Sequence, residues 1–225
     1  MRLLFAAVLL ASASGVLAET RYGFVQAERI EFREASDDVL WDVQARYGGD
    51  YHRFWFKSEG VMHDGSVDHA EVQALYSRAW LPFFDLQFGL RLSEIDDGDL
   101  VSAVAGIQGM APYRFEIDAA LFLSEDGDLS VRAEAERDLL LTRRLVLQPR
   151  AKLSLAFDDV PEIGVGSGVS ELSIGLRLRY EYTHKFAPYI GVEWHRSFGD
   201  TADFIRLAGD DPSETSLTAG VRFWF

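Results

Sequence analysis

The sequence predicts an all-β protein, a transmembrane antiparallel up-and-down β-barrel of about twelve strands, and three observations predict it. Apolar residues recur at every second position in segment after segment. The positions between them carry full charges of both signs. The last segment alternates in the same way and ends on an aromatic residue, Phe225. A strand turns each successive side chain to the opposite face, so such segments have one oily face and one wet face. A soluble sandwich also alternates. Full charges on the wet face and Trp, Tyr or Phe at the ends of the oily face are instead the pattern of a wet lumen inside a lipid-facing wall.

The strands are read at residues 21–33, 39–47, 51–58, 70–80, 83–93, 100–109, 113–124, 129–137, 144–157, 171–183, 188–197 and 215–225. The fifth shows the logic: Phe84, Leu86, Phe88, Leu90 and Leu92 share one face, and Asp85, Gln87, Gly89, Arg91 and Ser93 the other. In the second, Val39, Trp41, Val43, Ala45 and Tyr47 oppose Leu40, Asp42, Gln44 and Arg46. The tenth sets Leu172, Ile174, Leu176, Leu178 and Tyr180 against Glu171, Ser173, Arg177, Arg179 and Glu181. Most of these runs approach the 9 to 11 residues a tilted strand needs to cross a bilayer. The first, third and fourth are the least regular. Residues 131–141 hold an Ala-Glu-Ala-Glu-Arg stretch with local helix propensity, but the strands on either side need a partner there.

Links between strands alternate in length and charge. The acidic ones contain Glu34, Asp37 and Asp38; Glu59 and Asp64; Glu94, Asp96, Asp97 and Asp99; Glu125, Asp126 and Asp128; Asp158, Asp159 and Glu162; and Asp200, Asp203, Asp210, Asp211 and Glu214. The intervening links are tight, as at Gly48-Gly49-Asp50, Leu81-Pro82, Ala111-Pro112 and His184-Lys185. Outer-membrane barrels put short turns in the periplasm and longer loops outside, so the acidic rim is expected to be external. The formal charge of −14 and the mean hydropathy of −0.03 are then averages over this rim, a mixed lumen and a lipid wall. A strongly acidic chain also lacks the basic face a nucleic-acid partner requires. Zero Cys excludes disulfides and thiolate metal sites.

The N-terminus reads as an export signal. Arg2 precedes the apolar run Leu3 to Leu10, and Val16-Leu17-Ala18 gives a small-x-Ala cleavage pattern. Residues 1–18 are therefore expected to be a signal peptide and residues 19–225 the barrel domain, placed in the outer membrane among its lipids. Inside the barrel the parity puts Asp85, Arg91, Arg114, Glu116, Asp118, Arg132, Glu134, Glu136, Arg150, Lys152, Arg177, Arg179, Glu181 and Glu193. Dense pairing among them would plug the lumen, and incomplete pairing would leave a narrow wet path. The acidic rim would concentrate cations at its entrance. No enzyme is read from the chain. Some outer-membrane lipases and acyltransferases use Ser and His at a barrel rim, but no Ser/His/Asp set here agrees in face and depth, and His52 falls on the apolar parity with Phe54 and Phe56.

Several stretches resemble one family. They are 22–29 (Tyr22-Gly23-Phe24-Val25-Gln26-Ala27-Glu28-Arg29), Leu40-Trp41-Asp42-Val43-Gln44 leading to Tyr47-Gly48-Gly49-Asp50, 71–78, 115–124, Leu147-Gln148-Pro149-Arg150-Ala151, and 187–194 with Phe198-Gly199-Asp200-Thr201-Ala202. Together they look like the copper-resistance protein B (CopB/PcoB) family of outer-membrane proteins. The resemblance runs over essentially the whole chain after the signal. It implies a barrel of copper resistance and homeostasis that binds or passes copper ions, alongside a periplasmic multicopper oxidase. The metal comes from the resemblance alone; the residues by themselves leave open a structural or general-diffusion barrel.

Members of that family commonly carry a Met- and His-rich extension before the barrel, whereas here Glu19-Thr20 runs straight into Arg21-Tyr22. With Cys absent, Met and His are the soft or borderline copper donors. After the signal these are Met62 and Met110 with His52, His63, His69, His184 and His195. Met62-His63 lies in an outer link and His69 shares parity with Glu71 and Gln73, so Met62, His63 and His69 are the candidate metal ligands, for weak or transient copper binding at the external mouth. The bland alternative is a solvated loop that happens to contain them. His195, beside Glu193 in the lumen, is expected to pair with a carboxylate.

Overall fold

The computed structural model describes residues 21–95, 98–160 and 164–225. The expected signal peptide, residues 1–18, lies outside the described residues, as do Asp96, Asp97 and Glu162 of the acidic links. The strands are β1 (Tyr22–Arg33), β2 (Asp38–Gly48), β3 (His52–His63), β4 (Ser66–Leu81), β5 (Phe84–Ile95) and β6 (Gly98–Ala111). They continue as β7 (Phe115–Ser124), β8 (Leu129–Glu136, resumed at Leu139–Leu140), β9 (Leu145–Ala156), β10 (Gly168–Tyr180), β11 (Phe186–Ser197) and β12 (Ser213–Trp224). Each pairs antiparallel with the next, and β12 returns to β1, so twelve strands close a barrel. Closure pairs each of the twelve strands on both sides, as lipid requires, with the short Leu139–Leu140 extension at the short-turn end paired on one side. The seam ends on Phe225, whose N–H donates to the Val25 carbonyl at 2.9 Å while Val25 N–H donates back at 3.2 Å.

Burial is inverted relative to a soluble core. On β5, Phe88, Leu90 and Leu92 are 51%, 58% and 46% exposed, whereas Gln87 and Ser93 are 2% and 3% exposed. The sequence parity is therefore right about which residues share a face, and the apolar face is the outer one. Tyr51, Phe54, Trp80, Phe83, Tyr113, Tyr182 and Phe225 are all exposed at or near the short turns, as an interfacial aromatic girdle requires. The lumen is not purely polar. Trp55, Leu75, Val104 and Phe122 turn inward as a buried cluster, with Phe24 and Ala120 against it, and fill part of the lumen.

Four local departures from the expected pattern matter. The acidic link expected between the third and fourth strands is instead a two-residue hairpin turn at Asp64 (φ 48°) and Gly65 (φ 80°); both residues take the positive φ that a type I′ turn demands. The strands on either side lengthen, and Glu59, expected in that link, becomes a lumen residue of β3. In β1 the register slips between Ala27 and Arg29. The resulting bulge places consecutive Glu28 and Arg29 both inside, and carries Glu31 and Arg33 in after them. Arg114, expected in the lumen, sits in a 3-10 turn (Pro112–Arg114) with Tyr113 and Arg114 at φ 65° and 62°, and is exposed at the rim. The long acidic link after β11 contains helix α1 (Gly199–Ala208), ended by Gly209 in the left-handed conformation at φ 99°. Thr201 of α1 accepts the Gly166 N–H at 2.9 Å, which ties the helix to the β9–β10 link. In that link Asp159 accepts the Ser167 N–H at 2.6 Å, a bond that holds its carboxyl below the usual range.

Candidate functional site

Three levels of the lumen differ in how their charges are partnered. At the external end, His63 is the last residue of β3, on the hairpin tip beside the Asp64-Gly65 turn. Its Nδ1 lies 2.9 Å from Asp38 Oδ1 on the paired strand β2. The hydrogen bond to Asp38 raises the His63 pKa above that of an ordinary histidine, with Asp64 and Asp68 adding to it. Asp68, on the other arm of the hairpin, completes a group with Asp38 and His63 whose ligand atoms all lie within 4.8 Å of one another.

The sequence-derived set does not converge as a trio. Met62 is opposite Val67, on the parity of the lipid-facing Phe54 and Phe56, and so points away from His63. His69 faces the lumen, where it lines an external vestibule of about 490 Å³ together with His195. Asp38 and Asp68 were not legible as partners because cross-strand register and the Asp64-Gly65 turn bring them in. That Asp-Gly pair was the available signal.

At mid-height the charges form a belt. Glu59 accepts from Arg132 at 3.0 Å and Lys152 at 2.8 Å, and Arg132 also binds Glu71 through two bonds of 2.8 and 3.1 Å. Across the lumen, Glu31 takes bonds of 2.7 and 3.0 Å from Arg177, which reaches Glu193 at 2.5 Å, and Arg33 donates to Glu193 at 2.9 Å. Arg29 joins Asp42 at 2.7 Å, and Arg150 joins Glu134. Arg91 and Arg132 also approach the Phe122 ring, at 4.0 and 5.4 Å. Pairing is thus dense. Arg29, Glu59, Glu71, Phe122, Arg132, Arg150 and Lys152 line both the external vestibule and a second one of about 530 Å³ at the short-turn end, so the belt stands between them.

The short-turn vestibule is less evenly balanced. Arg53 pairs with Asp85, Lys57 with Asp118 at 2.5 Å and Arg222 with Glu28 at 2.9 Å. Met110, Glu116 and Glu136 lie in one cross-strand row of β6, β7 and β8. Arg150 is also opposite Glu136 but bonds Glu134 instead, and among the described residues neither Glu116 nor Glu136 has an ion-pair partner. His195 does not meet the carboxylate expected of it. Its Nδ1 is 3.0 Å from Ser173 Oγ and its Nε2 3.5 Å from Ser197 Oγ, because Glu193 is already taken by Arg177 and Arg33. His52 is on the outer face as expected, 2.5 Å from the Tyr76 hydroxyl.

A closed antiparallel barrel with a lipid-facing wall, an aromatic girdle and a charged lumen defines an outer-membrane β-barrel protein. Solved structures agree on the fold: a NanC porin superposes with a TM-score of 0.57 at 13% identity, covering 90% of this chain and 99% of its own, and a KdgM porin bound to disordered oligogalacturonate with 0.53 at 11%, covering 90% and 99%. The model of the family described as copper resistance protein B precursor (CopB) matches residues 21–225. A copper resistance protein B homolog of Pseudomonas syringae pv. tomato is 39% identical over 201 residues, 88% of this chain and 68% of its own length. Copper resistance protein B of Escherichia coli is 36% identical over 203 residues, 89% and 69%. The chain belongs to the copper resistance protein B family.

Proposed function

We propose that this barrel binds copper at its external mouth and that the bound ion is Cu(II). The observation that carries this reading is the Asp38–His63–Asp68 group, one imidazole and two carboxylates with ligand atoms within 4.8 Å. Imidazole with oxygen donors suits Cu(II), whereas Cu(I) selects thioether and thiolate, and Met62 is on the opposite face. His69 and His195, in the vestibule wall below, supply further imidazoles along the same path. Met110 beside Glu116 and Glu136 offers a softer donor set at the other end. The dense pairing at mid-height makes free diffusion the weaker alternative, since an ion crossing there meets paired charges of both signs. A periplasmic oxidase partner fits this scheme as the protein exchanging copper at the short-turn end.

The test is copper stoichiometry on the purified, detergent-folded barrel. The His63→Ala, Asp68→Asn double variant is expected to lose about one bound Cu(II) per chain, and the Met62→Ala variant none. Equal stoichiometry in wild type and double variant refutes the mouth site. A gene deletion that leaves growth in copper unchanged refutes the wider copper role.

A further inference from the structure

The barrel floor holds a cavity that the copper reading does not use. At the short-turn end, against β1, β2 and β10 to β12, a pocket of about 450 Å³ is lined by Arg46, Arg179, Lys185 and Arg222, with Tyr22 and Trp224 in its wall. Glu181 is the single carboxylate among its lining residues. Four cations to one acid is a reversal in a chain of net charge −14.

The partnering of these cations is also unlike the belt's, where every arginine and lysine has a carboxylate. Among the described residues Arg46 makes no ion pair; its guanidinium stands over the rings of Tyr22, Phe24 and Trp55 at 5.2, 4.8 and 5.5 Å. Lys185 likewise has only the Trp224 ring, at 5.9 Å. Arg179 gives Nη2 to Asp138 at 2.5 Å, and its Nη1 is buried with no partner. Arg222 is held on one side by Glu28. Aromatic faces steady a cation without neutralising it, so Arg46 and Lys185 keep their charge available. Guanidinium groups with free edges recognise planar carboxylates.

We propose that this cavity is a binding site for a small organic polycarboxylate entering from the periplasmic end. Its volume lies within the range of small-molecule sites. Its cations would take the carboxylates, and the rings of Tyr22 and Trp224 the carbon skeleton between them. The site is independent of the copper group at the opposite end of the barrel.

The experiment is calorimetric titration of the full, metal-free barrel in neutral detergent at low salt. One arm uses citrate and the other a hexaglutamate peptide, because an acidic stretch of a polypeptide offers the same carboxylates. Wild type is expected to bind citrate more tightly than the peptide. Arg46→Gln and Lys185→Gln should each weaken citrate binding about tenfold, while heat-dependent gel mobility shows that both variants still fold. Binding should fall as salt is raised. Absence of citrate binding, wild-type affinity for citrate in both variants, or tighter binding of hexaglutamate would each overturn the assignment.

Discussion

At mid-height Glu31, Glu59, Glu71 and Glu193 each meet a guanidinium or an ammonium group. At the external mouth Asp38 and Asp68 share a histidine and, among the described residues, have no lysine or arginine. Both regions are rich in carboxylates, and the difference is what each carboxylate has left to give. In the belt the lone pairs are committed to arginines already ordered by strand pairing, so the belt acts as structure. At the mouth they face water and a neutralisable imidazole, so the mouth acts as a place to bind. The lesson is that a count of lumen charges says little until each is assigned a partner.

That contrast can be broken at its strongest point first. Glu31 is fully buried and Arg177 nearly so; removing the Glu31 charge weakens two of the three carboxylate bonds of Arg177 and leaves Glu193 as its one charged partner. Glu31→Gln is expected to destabilise the barrel by about 2–3 kcal/mol, read as the urea concentration at which gel mobility converts to that of the unfolded chain. A loss under about 1 kcal/mol would mean that the belt is wetter than its geometry implies. Next, Arg132→Ala unties Glu59 and Glu71 together. Ion conductance across planar bilayers is expected to rise above the wild-type level, and an unchanged conductance would locate the barrier elsewhere.

The mouth should behave oppositely. Asp68→Asn is expected to change stability by no more than about 0.5 kcal/mol, as exposed substitutions do, while copper stoichiometry falls. A large stability loss there would erase the distinction. The smallest effect is a titration. Because Asp38 favours the protonated imidazole, His63 holds its proton to higher pH than an ordinary histidine, and the protonated ring has no lone pair for a metal. Copper should therefore be lost on acidification at a higher pH than a free histidine would require. In metal-free protein, Asp38→Asn should move the His63 titration seen by NMR to lower pH.

How much of this was legible beforehand follows the range of the interactions. The outer wall was readable strand by strand, because the side-chain period of two is a local property of the backbone and Phe88, Leu90 and Leu92 declare themselves without reference to anything distant. The terminal Phe225 was equally plain. Irregular places were not. Arg29 and Glu31 enter the lumen through a bulge in β1 that breaks the parity, and Glu59 does so because the Asp64-Gly65 turn is shorter than the acidic stretch around it suggests. Trp55 and Phe122, inward and buried, stood in the sequence as breaks in the alternation.

The sequence by itself determined the class of fold, the order of the strands, the lipid-facing residues and the acidic rim, since each depends on patterns within about a dozen residues. Tertiary structure alone decided who partners whom. Arg177 and Glu31 are 146 residues apart, and Lys152 and Glu59 are 93 apart; His63 finds Asp38 only because β2 and β3 pair in one register. Barrel closure brings such groups together, and a hydrogen-bonded ion pair forms only when donor and acceptor come within about 3 Å. Whether a charge is part of the wall, the belt or a binding site is therefore settled by the closed barrel.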